Sequence, residues 1–121
     1  MRLTGRENLL LYARLRGLGK RAAAAHVREL AEELGLGTVA SRRTDRCSTG
    51  QLQLLAFARA LVLDPPALLL DEPTRSLDES ARGRLWDALD RRPATAVLVA
   101  THLDEDLGRA TAVREIGTTR P

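Results

Sequence analysis

Two short apolar runs separated by one helical segment constrain this chain more than any other feature. Ala67-Leu68-Leu69-Leu70 is continuous apolar sequence ending in Asp71, and Thr95 to Ala100 is a second such run. Runs of this length without polar alternation suit strands covered on both faces of a parallel sheet. Between them, about Glu79 to Arg91 reads as a helix with Leu85, Ala88 and Leu89 turned inward. The order strand, helix, strand predicts a parallel βαβ unit with a right-handed crossover.

The sequence upstream is helical. Thr4-Gly5-Arg6-Glu7 has the spacing of a capping box ahead of helical character over Leu9 to Leu18, which Gly17 and Gly19 interrupt. From about Lys20 to Leu34, the residues Val27, Leu30, Ala31 and Leu34 share one helical face, and Gly35 sits where a C-terminal cap belongs. Residues 36 to 47 read as a polar, arginine-bearing loop. A third helix is expected from about Thr49 to Leu63, with Ser48 as its N-cap, Leu54, Ala58, Leu61 and Val62 as its stripe, and Asp64-Pro65-Pro66 as its stop. The expected division is therefore a helical part, 1–63, followed by an α/β part, 64–121.

Composition narrows the class of function. At 121 residues the chain is one domain at most, or a piece of a larger one. A hydrophobic share of 44% beside 29% charged residues is that of a globular chain. With aromatics at 2%, the core must be built from Leu, Ala and Val, and little is left to stack on single-stranded nucleic acid. The net charge of +3 comes from arginines dispersed among acids, so no nucleic-acid partner is expected. A single cysteine excludes an internal disulfide and fits a reducing compartment. The first residues do not read as a secretory signal, and the apolar runs are far too short to cross a bilayer. Any membrane role is expected through a partner.

Three segments carry candidate chemistry. Leu68-Leu69-Leu70-Asp71-Glu72-Pro73 delivers two carboxylates to the C-terminal end of a strand, where α/β sheets place ligands. Adjacent strand residues point to opposite sides, so Asp71 would face a metal and Glu72 an attacking water, as its general base. The same dipeptide also reads as the opening of a turn before Pro73. Asp78 follows seven residues beyond Asp71, and His102, on the same edge of the expected sheet as the carboxylates, could hydrogen-bond a terminal phosphate or be an ordinary loop histidine. Asp78 is equally an N-cap for the next helix. Finally, Cys47-Ser48-Thr49-Gly50-Gln51 places a hydroxyl and bare backbone N–H groups at a helix N-terminus, an anion site or simply a Ser-capped helix.

In order, Ser48-Thr49-Gly50-Gln51, the helix ending in Ala58-Arg59-Ala60-Leu61, Leu68 to Thr74, Ser76-Leu77-Asp78 and Ala100-Thr101-His102 strongly resemble the nucleotide-binding domains of ABC transporters. The entry from Leu3-Thr4 to Glu7-Asn8-Leu9 is similar to the same family, and the resemblance reaches about residue 112. It implies an α/β fold, the C-terminal part of a RecA-like P-loop NTPase domain with its helical signature subdomain first. It also implies Ser48, Gly50 and Gln51 in the signature motif, Asp71 as the Walker B aspartate that helps hold Mg²⁺, Glu72 as catalytic glutamate, Asp78 in the D-loop and His102 as switch histidine. ATP and Mg²⁺ are then the expected ligands. A permease subunit and a second nucleotide-binding domain, paired head to tail, are the expected partners, with a cytoplasmic position at the inner face of the membrane. Two residues depart from the signature Leu-Ser-Gly-Gly-Gln: Cys47, read as a small buried hydrophobe, and Thr49 in place of the first Gly.

The P-loop of that family, Gly-x-x-x-x-Gly-Lys-Ser/Thr, does not occur in these residues. Gly19-Lys20 is followed by Arg21 and reads as an interhelical turn. The resemblance therefore implies an N-terminally truncated domain without Walker A and without the central strands of its sheet, inactive alone. Two other readings remain beside a transporter ATPase subunit. One is a non-catalytic module that completes a partner's ATP site; the other is a soluble DNA-repair or ribosome-associated relative.

Overall fold

A computed structural model describes residues 2–116. The capping box at Thr4 opens α1 (Gly5–Leu15): the Thr4 hydroxyl accepts from the Glu7 N–H at 3.2 Å, and the Glu7 carboxylate accepts from the Thr4 N–H at 2.8 Å. The helix begins at the cap rather than at Leu9, and it ends before Gly17, whose φ of 99° leaves the right-handed region.

The second helix, α2 (Lys20–Glu33), buries Ala23, Val27 and Leu30. Gly35 adopts φ 63°; its N–H donates to Glu32 O while the Leu36 N–H donates to Ala31 O. That pair of bonds is a Schellman motif, which requires the left-handed glycine. The expected loop after it holds more structure than its composition suggests. It contains a one-turn helix, α3 (Gly37–Ser41), and a 3₁₀ turn over Thr44–Arg46. Leu36 and Val39 are buried there, and this packing, rather than any periodicity, orders the segment.

Ser48 caps α4 (Thr49–Leu61), which buries Leu54, Leu55, Phe57, Ala58 and Leu61. Val62 is its C-cap, and Asp64, at φ 47°, turns the chain into Pro65-Pro66. Next come β1 (Ala67–Asp71), α5 (Glu79–Asp90) and β2 (Ala96–Ala100), and the two strands pair in parallel with Leu69 opposite Leu98. A short helix, α6 (Asp104–Leu107), closes the described structure.

The expectation that both strand faces are buried is corrected. Leu68 is covered and Leu70 and Val99 partly so, whereas Leu69 is 81% and Leu98 67% exposed. Residues alternate between faces of a strand, so one face of the two-stranded sheet packs on the core and the other is open.

Among the described residues, one apolar cluster runs from Leu9 through the helices to Leu68, Leu85 and Leu89. An ion pair ties its two ends together: Arg92, just after α5, donates to both Glu33 carboxylate oxygens at 2.6 and 2.9 Å and to Ala88 O at 2.7 Å. The hydrogen bonds from Arg92 hold the Glu33 carboxyl below its usual range against the opposing effect of burial, and Glu33 in turn raises Arg92.

Candidate functional site

The strand β1 ends at Asp71, and Glu72 leaves it at φ 47°. A left-handed backbone is uncommon for a residue with a side chain, and here it is held from two sides. The Glu72 N–H donates to Ala100 O of β2 at 2.7 Å, and the Gln53 side-chain amide donates to Glu72 O at 2.7 Å. Asp71 is thus the last residue of β1 and Glu72 lies beyond the strand in a left-handed bend, so the strand alternation expected from the sequence does not carry through to Glu72.

The Glu72 side chain meets the residues that follow β2. His102 Nδ1 lies 2.7 Å from Glu72 Oε1, and the Thr101 hydroxyl lies 3.5 Å from Glu72 Oε2. Donation to a carboxylate places a hydrogen on Nδ1 of that imidazole. Glu72 is largely covered and His102 largely exposed, so the pair sits at the rim of the C-terminal edge of the sheet.

Behind the pair lies Asp106, which is 3% exposed. Its Oδ2 accepts from the Thr74 hydroxyl at 2.6 Å and from the Thr101 hydroxyl at 3.1 Å. Sequence reasoning missed this residue, because Asp104-Glu105-Asp106 looks like a solvated acidic helix start. It also missed Gln53, whose Oε1 accepts from the Ser76 N–H at 3.1 Å while its amide holds Glu72 O. The one signal for Gln53 was an amide set among the apolar residues Leu52, Leu54 and Leu55.

The other singled-out residues lie at helix starts. Ser48 Oγ accepts from the Gln51 N–H at 3.1 Å, and Gln51 Oε1 accepts from the Ser48 N–H at 2.9 Å and from Arg42 at 3.3 Å. Gly50 lies against the turn after β1: a Cβ built on it would collide with the carbonyl oxygen of Ser76. Its lack of a side chain serves this close approach. Among the described residues, the link from this helix to Glu72 runs through Gln53 rather than through Ser48, Gly50 or Gln51. Asp78 caps α5, its Oδ1 accepting from the Ala81 N–H at 2.8 Å. Cys47 is half-buried, with Sγ 3.5 Å from Arg43 O.

Asp71 is exposed at the end of β1. Among the described residues, no group of three or more His, Cys, Asp or Glu is placed to hold a metal ion. A lone carboxylate still fits Mg²⁺, which keeps several waters and takes one or two carboxylates beside substrate phosphates.

The model of the ABC transporter family matches residues 1–75. The chain belongs to the ABC transporter family. It is 41% identical over 108 residues to the Nod factor export ATP-binding protein I of Burkholderia lata, covering 88% of this chain and 36% of the relative. It is 38% identical over 106 residues to the daunorubicin resistance ATP-binding protein DrrA2 of Streptomyces coeruleorubidus, covering 85% and 33%. It is 42% identical over 106 residues to the phospholipid-transporting ATPase ABCA7 of Homo sapiens, covering 86% and 5%. The chain thus spans about a third of the bacterial relatives it matches. Its helices followed by a parallel βαβ unit are consistent with part of the P-loop NTPase fold of an ABC ATP-binding domain. Among the described residues, no helix is long and apolar enough to cross a membrane.

Proposed function

We propose that this chain is part of an ATP-hydrolysing subunit that drives an ABC transporter, with Glu72 as general base and His102 as its partner. The observation that carries this reading is the 2.7 Å contact between His102 Nδ1 and Glu72 Oε1, beside a Glu72 backbone held left-handed by Ala100 and Gln53. A carboxylate oriented in advance at the C-terminal edge of a parallel sheet can accept a proton from a water aligned on a terminal phosphate. His102, mostly exposed, can turn toward that phosphate while keeping its side chain against Glu72.

Asp71 is the carboxylate that would hold Mg²⁺, and the ion would supply charge neutralisation on the phosphate oxygens. Ser48 and the N–H groups at the start of α4 would donate to the terminal phosphate of a nucleotide held by a second, head-to-tail subunit. Asp78 caps the start of α5, two residues after the turn that follows β1. The residues 1–63 would form the signature subdomain and 64–121 the adjoining part of the core. A permease would be the membrane partner, which places the subunit at the inner face of the membrane. The names of the two bacterial relatives, one for export and one for drug resistance, support an exporter.

The test uses a full-length cassette in which this sequence is preceded by a P-loop, with the 121-residue chain, expected to be inert, as baseline. Glu72→Gln should cut ATP turnover by about 10²- to 10⁴-fold, the usual worth of a general base, with ATP binding retained. Near-normal turnover in that variant would remove Glu72 from the role.

A further inference from the structure

We infer that Asp106 is a positioning residue for Glu72: it draws the Thr101 hydroxyl hydrogen to itself and so keeps Glu72 Oε2 free to meet water. This rests on the reading of Glu72 as general base.

Asp106 belongs to a helix of four residues, whose Asp104 and Glu105 are exposed, yet it is 3% exposed itself. Its Oδ2 takes hydrogen bonds from two threonines that follow different strands. Thr74, fully buried, lies in the turn after β1, and Thr101 follows β2 directly. One carboxylate oxygen therefore ties together the two strand ends that carry Glu72 and His102. The other oxygen, Oδ1, is buried with no hydrogen-bond partner among the described residues. Burying a carboxylate oxygen without a donor is unfavourable, so the two threonine bonds to Oδ2 come at a cost that a residue without the second oxygen would avoid. An unsatisfied buried polar atom in a native fold calls for another explanation.

The Thr101 hydroxyl supplies that explanation. The Leu103 N–H donates to Thr101 Oγ1 at 3.1 Å and occupies one lone pair. The hydroxyl has a single hydrogen and two acceptors in reach: Asp106 Oδ2 at 3.1 Å and Glu72 Oε2 at 3.5 Å. Donation to the nearer one leaves Glu72 Oε2 unoccupied, while His102 holds Oε1. Without the Asp106 acceptor, the hydrogen turns to Glu72 Oε2, fills the position the water needs and rotates the carboxylate.

The experiment measures kcat and KM for ATP in the full-length cassette assembled with its permease, together with the melting temperature. Asp106→Leu should lower kcat about tenfold or more with KM nearly unchanged, the pattern of a misplaced reacting group. Asp106→Asn, which keeps a carbonyl acceptor, should lose about threefold. The Thr101→Val, Asp106→Leu double variant should turn over faster than Asp106→Leu alone, because the competing hydrogen is gone. A purely structural role cannot produce that recovery. A double variant as slow as Asp106→Leu or slower, or a kcat of Asp106→Leu equal to the unsubstituted cassette, overturns the inference. If Asp106→Leu does not fold, Asp106→Asn decides: a tenfold loss with native melting overturns the dependence on an acceptor, and a threefold loss supports it. Glu72→Gln run alongside separates the two readings. Normal turnover there removes the general base itself, whereas its loss beside a normal Asp106→Leu removes only the role of Asp106.

Discussion

A Cβ at Gly50 would collide with the Ser76 carbonyl oxygen, whereas one at Gly37 would meet nothing within 4 Å. Both glycines lie in the first turn of a helix, Gly50 in α4 and Gly37 in α3, and they make a controlled pair. At Gly50 backbone faces backbone, so no flexible side chain can give way, and α4 must shift from the turn that carries Glu72. Gly50→Ala should cost about 1–3 kcal/mol, as overpacking does elsewhere, read from urea unfolding. Gly37→Ala should be neutral, or more stable by up to about 1 kcal/mol, because alanine restricts the unfolded chain. Equal effects at the two sites would show that the contact at Ser76 relaxes freely. The sequence placed Gly50 at the start of a helix and suggested a phosphate-facing reason for it; the contact with Ser76 is a further, packing reason. The packing reason was hidden because Ser76 lies on a turn whose path depends on the sheet.

Helix starts were legible because their determinants are local. Thr4 with Glu7 and Ser48 with Gln51 close capping boxes within three residues, and Gly35 ends α2 by its own backbone. The five residues of α3 gave no periodicity to read, and they are ordered by Leu36 and Val39. The pair that joins α2 to the end of α5 was also invisible, since Glu33 and Arg92 are 59 residues apart. This pair has a pH signature. Hydrogen bonds from Arg92 depress the Glu33 carboxyl below its ordinary value of 4.5 in the folded state. A depressed carboxyl contributes stability that is complete above the unfolded value and is lost as pH falls through the folded one. Unfolding midpoints should therefore decline as pH drops below about 4.5. Glu33→Gln should flatten that decline and lower stability at pH 7 by about 1–3 kcal/mol, since Arg92 loses its charged acceptor. An unchanged acid limb in Glu33→Gln would assign the decline to other carboxylates.

At the scale of the whole molecule, the order strand, helix, strand was enough to give the parallel pairing of β1 and β2 and the edge on which Glu72 and His102 meet. Of the candidate site, the meeting of Glu72 and His102 at one edge of the sheet was legible. Its supports, Gln53, Thr101 and Asp106, were not, because each acts through a contact between segments distant in sequence or through burial that an acidic run conceals. The same strands explain the one failed expectation about burial. Leu69 and Leu98 have the composition of a sheet covered on both sides, yet they are paired with each other on an open face. Large apolar side chains beside unpaired strand edges favour association with other strands. The 121-residue chain should therefore bind a hydrophobic dye and self-associate as its concentration rises, by analytical ultracentrifugation. Leu69→Lys with Leu98→Lys should suppress both effects, because charge on an exposed sheet face opposes edge-to-edge pairing. Neither residue packs into the buried cluster, so the double variant should unfold at a urea midpoint close to that of the parent chain. Association that persists in the double variant would place the sticky surface elsewhere, on the helical face around Leu11 and Leu15, which are also exposed.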